Sequence, residues 1–382
     1  MRNFSRREFS LSTAALFAMS AIRSRAIQAA TKESGLREVF AQDFLIGTAL
    51  NTETFENGNA ALLDLVAHEF NAITPANCMK WGPIEPQEGQ WQWAVPDRFV
   101  EFGTKHNMHI VGHNLVWHSQ TPAWLFVDEG GKPVSAQRLS KRMQAHIETL
   151  VGRYRGRIAI WDVVNEAIED DDKGWRKSPW VQIIGPQFME QAFRLAHAAD
   201  PKAHLIYNDY NEHNPGKRKF LLEVIKDYQR RGVPIHGIGF QGHVGFDYPD
   251  LAEYEKSIES IAATGLRLHI TELDVDVLPH AWKYTGAEIS ALQQYADELN
   301  PYTKGLPPQI EQQLTARYRE VFEMFVRHRD KIDRVSMWGT HDGESWKNDF
   351  PVRGRTNYPL LFDRQLKPKP AYAAVAATAH SA

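Results

Sequence analysis

The chain has 382 residues, 43% of them hydrophobic and 24% charged, with a formal net charge of -3 at pH 7. That composition suits a soluble globular protein with one large core, and it argues against a nucleic-acid or anionic-membrane partner, because gripping phosphates requires a basic excess. The single cysteine, Cys78, excludes an intrachain disulfide and a thiolate metal cluster; set between Asn77 and Met79, it reads as a buried, inert thiol.

At the N-terminus, Ser5-Arg6-Arg7-Glu8-Phe9 precedes a short apolar stretch, Ala14 to Met19, that fades by Arg23. The stretch is too short to span a bilayer. A twin arginine before a modest apolar run resembles a bacterial twin-arginine export signal, a receptor-read address, so residues 1–30 are set apart from the fold and a periplasmic or secreted location is expected. Ala29 and Ala30 are the nearest small-residue candidates for processing.

From about residue 44, strand-like apolar runs alternate with helical patterns, without a Ser/Gly/Pro-rich linker. Strands are predicted at 44–50, 71–74, 109–116, 158–164, 204–208, 237–241, 267–271 and 334–338, with amphipathic helices at 60–69, 135–154, 186–198, 215–231, 251–264 and 310–329. This order predicts an α/β fold, a single (β/α)8 TIM barrel over residues 31–382. A long connection, Val277 to Pro308, follows the seventh predicted strand; it carries Pro279, Trp282, Pro301, Gly305 and Pro307 and is expected to overhang the active face.

Two predicted strands end on carboxylates, at Glu166 in the run Ile158 to Glu166 and at Glu272 in the run Leu266 to Asp274. Charge at the end of a buried strand is costly, so two such acids point to a reacting centre. A carboxyl pair is what glycosidic-bond cleavage requires: one protonates the departing oxygen and the other, ionised, attacks or shields the anomeric carbon. Other polar and aromatic residues gather at the predicted strand ends: Asn77, Lys80, His113, Trp117, His118, Asn165, Asn208, Gln241, His243, Asp274, Trp338 and Trp346. In a barrel these ends converge on one face. The aromatic content of 11% supplies flat surfaces for sugar rings, although about two thirds of those rings are expected in the core.

The segments Gly112 to Gln120, Trp161 to Ala167, Gly237 to His243 and Ile270 to Asp274, with Pro359 to Asp363 and Lys369 to Tyr372 near the C-terminus, resemble the signature segments of glycoside hydrolase family 10, the endo-β-1,4-xylanases. The resemblance spans about residues 36–378. It implies a catalytic (β/α)8 barrel, cleavage of internal β-1,4-xylosidic bonds with net retention, and no cofactor or metal. Xylan and xylo-oligosaccharides are the implied partners, with no nucleic acid, membrane or protein partner required. Position by position, it makes Glu166 the general acid/base and Glu272 the nucleophile, supported by His243, which Asp274 orients. Asn165 would hydrogen-bond the 2-hydroxyl of the sugar at the cleavage point. Retention predicts a carboxyl separation of about 5 to 5.5 Å. Asn77, Lys80, His113, Trp117 and Gln241 resemble the glycone wall, and Trp338 with Trp346 the aromatic lid. Trp117 also admits a pure packing role, and Asp162 reads as a buttress. Where the family carries a glutamate before Asn77, this chain has Ala76, which predicts weaker glycone binding or an altered preference for decorated chains.

Three rivals are set against this reading. A glucanase on the same barrel would differ in how it treats the extra hydroxymethyl group. A non-catalytic carbohydrate-binding barrel would have lost a carboxylate, yet both are present. A metal-dependent hydrolase is suggested only by the sixteen histidines, among which no His-Glu-x-x-His spacing occurs.

Overall fold

The computed structural model describes residues 34–170, 173–279 and 296–380. The proposed export signal and Trp282 lie outside these residues. Eight parallel strands close a barrel: β1 (Leu45–Leu50), β2 (Ala72–Pro75), β3 (His109–Val116), β4 (Ile160–Asn165), β5 (His204–Asp209), β6 (Gly237–Phe240), β8 (Arg267–Asp276) and β9 (Ile332–Met337). Each pairs with the next around the ring. The ring is completed where β1 meets β9, Gly47 opposite Ser336, and where β6 meets β8, Ile238 opposite Leu268. Both faces of such strands are covered, which is why they read as near-continuous apolar runs rather than alternating ones; β4 is buried along its whole length.

The connecting helices begin where local chemistry predicts. Asn59 caps Ala60–Glu69 by accepting the Leu62 N–H at 3.2 Å, Ser135 caps Ala136–Arg153, Asp250 caps Leu251–Ala262, and Pro215 opens Pro215–Arg230 with its φ already helical. Within Ala136–Arg153, Leu139, Met143, Ile147 and Leu150 form one buried stripe laid against the barrel. A further helix, Ala94–Lys105, crosses between β2 and β3. Among the described residues, no helix is long and apolar enough to cross a membrane.

One strand differs from the sequence expectation in a way that matters. The predicted strand 267–271 stops before Glu272, whereas β8 runs on to Asp276. A short strand, β7 (His243–Gly245), adds to that extension with His243 opposite Asp274. Backbone pairing to β7 carries β8 past the barrel rim, so Glu272 and Asp274 sit on rigid strand rather than on a loop. The last barrel strand also begins earlier than predicted, at Ile332 rather than Arg334. Of the long connection after β8, residues 280–295 are outside the described set, and Ala296–Leu299 forms a single helical turn.

Candidate active site

Glu166 follows the last residue of β4 and leaves the strand with φ +55°, a left-handed conformation that costs a non-glycine residue about 1–2 kcal/mol. Its surroundings hold it there. The Glu166 N–H donates to the Asn208 carbonyl at 2.9 Å, and Arg176 Nε donates to the Glu166 carbonyl at 2.9 Å. The next two N–H groups, of Ala167 and Ile168, both donate to the Tyr207 hydroxyl, at 2.9 and 3.1 Å. The carboxyl receives Trp117 Nε1 at 2.8 Å, Gln241 Nε2 at 2.9 Å and Asn165 Nδ2 at 3.1 Å. Desolvation raises its proton affinity; the charges of Asp209 and Glu272 push the same way, against the hydrogen bonds from Gln241 and Trp117.

Glu272 occupies the opposite electrostatic setting. Burial alone would raise its pKa, but the hydrogen bond from His243 and the neighbouring charges of His113, His243 and Lys80 bring it below the ordinary carboxylate value. His243 Nε2 lies 3.3 Å from Glu272 Oε2, and its Nδ1 lies 3.0 Å from Asp274 Oδ1. Burial opposes charge on this imidazole too, yet Asp274 and Glu272 lift its pKa to about 9. At neutral pH it is an imidazolium that donates to both acids. Trp346 Nε1 donates to Asp274 Oδ2 at 2.9 Å, and Lys347 Nζ lies 3.6 Å from Asp274 Oδ1, so the second carboxylate is itself fixed.

Two amides join the acids. Asn208 Nδ2 donates to Glu272 Oε1 and to Asn165 Oδ1, each at 2.8 Å, and Asn165 Nδ2 in turn reaches Glu166. Asn208 Oδ1 accepts from Thr271 Oγ1 at 2.6 Å, which leaves the side-chain amide no freedom to flip. Space for Asn208 exists because β6 carries glycine at 239: a Cβ there would stand 2.4 Å from Asn208 Oδ1. Sequence reasoning placed Asn208 among the strand-end polar residues without giving it a part in the site.

Asn77, Lys80, His113 and Trp338 assemble beside the carboxyl pair. Lys80 Nζ donates to Asn77 Oδ1 at 3.0 Å and lies 5.1 Å from the ring centre of Trp117 and 6.0 Å from that of Trp338. Burial lowers its pKa to about 8, against the pull of Glu272 and Glu166. His113 Nδ1 meets Asp162 Oδ2 at 2.7 Å, so Asp162 supports the neighbouring strand's His113, and the imidazole stands edge-on to Trp338. Trp117 does more than pack, since its indole N–H is bound to Glu166. Phe350, exposed and stacked on Trp346, extends the aromatic rim and had no sequence motif to announce it.

A potential metal-binding trio among the described residues, His204, His269 and Asp333, lies at the other end of the barrel, where β5, β8 and β9 begin. Arg267 already holds Asp333 through Oδ1. Burial, with the Arg267 and Arg334 charges adding to it, lowers the proton affinity of both imidazoles. A cation there would sit beside two guanidinium groups, and His204 Nε2 instead contacts His269 Nε2 at 3.1 Å.

The family model for glycosyl hydrolase family 10 matches residues 35–378. An endo-1,4-beta-xylanase A of Xylanibacter ruminicola is 43% identical over 341 residues, which cover 89% of this chain and 92% of that protein. An endo-1,4-beta-xylanase of Geobacillus stearothermophilus is 42% identical, with coverage of 88% and 96%. Among solved structures, an endoxylanase retrieved from a sugarcane soil metagenome superimposes with a TM-score of 0.85 at 53% identity, covering 90% of this chain and 99% of that one.

Proposed function

The chain belongs to glycosyl hydrolase family 10, and from the opposed environments of its two linked glutamates we infer that it is an endo-1,4-β-xylanase cleaving xylan with retention. The observation that carries this reading is one carboxyl raised and one lowered in proton affinity, joined through Asn165 and Asn208. Glu166 donates its proton to the departing glycosidic oxygen while Glu272 attacks the anomeric carbon and forms a covalent glycosyl-enzyme. Glu166, now a carboxylate, then takes a proton from the water that releases the sugar and is restored. Asn165 binds the 2-hydroxyl at the cleavage point. Asn77, Lys80, His113, Trp117 and Gln241 contact the glycone, and Trp338 and Trp346 cover it. The rival metal-dependent reading finds no cluster of ligands near Glu166 and Glu272 among the described residues.

Xylan and its oligomers are the substrates in this reading, and no protein or nucleic-acid partner enters it. Products released from xylan and xylohexaose, with their anomeric configuration followed by NMR during the first turnovers, test it. Retained β-products from the parent and none from Glu272→Ala are expected; α-products, or cleavage of carboxymethylcellulose faster than xylan, would replace the reading. Residues 1–30 serve as a twin-arginine export signal. Replacing Arg6 and Arg7 by lysine should keep the protein in the cytoplasm, and unchanged export would remove this part of the proposal.

A further inference from the structure

Behind Glu166 lies a buried polar group that the mechanism above does not use. Tyr207 and Asp209 are both fully buried at the end of β5, and the Tyr207 hydroxyl donates to Asp209 Oδ2. That leaves the Tyr207 oxygen as an acceptor, and the Ala167 and Ile168 N–H groups converge on it. Asp209 Oδ1 accepts from Lys217 Nζ at 2.9 Å and from the Tyr210 N–H at 2.9 Å. Lys217 is a fully buried lysine that also reaches Asp170 at 3.0 Å. Arg176 closes the far side of the turn, bonding the carbonyls of Glu166 and Ile168 and the Tyr210 hydroxyl.

Burying an aspartate and a lysine together is costly even when they are paired, and well-packed apolar residues often serve stability as well or better. Here the pair occupies the place from which the turn after Glu166 is held. We propose that Tyr207 and Asp209 are positioning residues for the acid/base: Asp209 orients the Tyr207 hydroxyl, whose oxygen captures two successive N–H groups and fixes Glu166 in its left-handed turn. This rests on the assignment of Glu166 as the acid/base. Asp209 has a second, electrostatic action, since its charge disfavours ionisation of Glu166 more than the charge of Glu272 does. The charged and titratable groups facing Asp209 are Lys217, Glu212, Arg176, Tyr207 and Glu166, with Asp170 sharing Lys217. Those facing Glu166 are Asp209, Glu272, Lys80, Arg176 and Tyr210.

A phenylalanine at 207 keeps the ring and removes the acceptor, so the carboxyl should lose its aim while the nucleophile keeps its own. The measurement is kcat/KM of Tyr207→Phe on xylohexaose, whose leaving group needs a proton, and on dinitrophenyl β-xylobioside, whose leaving group does not. We expect a loss of roughly tenfold to a hundredfold on the first, within the range for a general acid, and less than about threefold on the second. In Asp209→Asn, Glu166 should ionise at lower pH, moving the alkaline limb of the pH profile on xylohexaose toward acid. Equal losses of Tyr207→Phe on the two substrates, or a loss on neither, overturn the proposal, as does an alkaline limb that stays in place in a folded Asp209→Asn. If Tyr207→Phe does not fold, the Asp209→Asn profile decides. A parent enzyme inactive on both substrates would instead overturn the functional reading.

Discussion

The two glutamates are the same residue type at the same end of one barrel, and the regions around them differ in kind. Glu166 stands on a turn, in a strained backbone conformation, with neutral indole and amide donors at its carboxyl and an aspartate behind it. Glu272 stands on a strand, with an imidazolium, a lysine and an amide around it. The first environment removes water and bonds the carboxyl to neutral donors alone, so the proton stays; the second supplies a charged donor at the carboxyl itself, so the proton leaves. Identical side chains acquire opposite tasks from their neighbours alone.

The most severe way to break this contrast is to remove either carboxyl. Glu272→Ala should lose at least about 10⁴-fold in kcat on every substrate, because no other group can form the covalent intermediate. Glu166→Ala should lose about 10²–10⁴-fold on xylan but keep most of its kcat/KM on dinitrophenyl β-xylobioside. Parallel losses in the two variants would show that the two environments do not divide the labour.

Gly239→Ala strikes the bridge between the regions. Its methyl would collide with Asn208 Oδ1, and overpacking at such a site costs about 1–3 kcal/mol. Thermal unfolding should fall accordingly and kcat should drop about tenfold or more, since Asn208 could no longer hold both Asn165 and Glu272. A fully active, fully stable Gly239→Ala enzyme would show that the bridge is dispensable.

Asp274→Asn sharpens the comparison through pH. Glu272 must be ionised, so activity is lost as pH falls through its depressed pKa. His243 is held up to about 9 chiefly against burial by Asp274. With that charge gone, the imidazole sheds its proton at lower pH, Glu272 loses positive support, and the acid limb of the kcat/KM profile should move to higher pH. The alkaline limb, set by Glu166, should stay. Movement of both limbs together would mean that the two sites titrate as one.

The smallest effect is expected from Ala76→Glu. Ala76 is a buried residue just after β2, beside Asn77, and a carboxylate there would offer the glycone a further hydrogen bond of about 1 kcal/mol. KM for unsubstituted xylo-oligosaccharides should fall several-fold with kcat nearly unchanged. Equal KM values would show that Asn77 and Lys80 suffice.

Much of this was readable in the chain. Strand-length apolar runs alternating with amphipathic helices specify a parallel barrel, because only strands covered on both faces can be apolar throughout. Strand-end polar residues then fall on one face by topology, which gathers Glu166, Glu272, His243 and the residues proposed to line the glycone side. The extension of β8 was not readable, because β7 is three residues long and its partner is distant in sequence. Tyr207 and Asp209, and the bridging role of Asn208, were likewise silent, since a buried hydrogen bond leaves no periodicity in a sequence.

The sequence by itself therefore determined the barrel, the carboxyl pair and the ring of polar residues around it, because periodicity and strand-end position are local properties of the chain. The family resemblance names Glu166 as the acid, but only tertiary structure supplies the physical reason that one carboxyl keeps its proton and the other loses it. Proton affinity depends on charges and donors within a few ångströms, and those come from residues separated by tens to hundreds of positions along the chain.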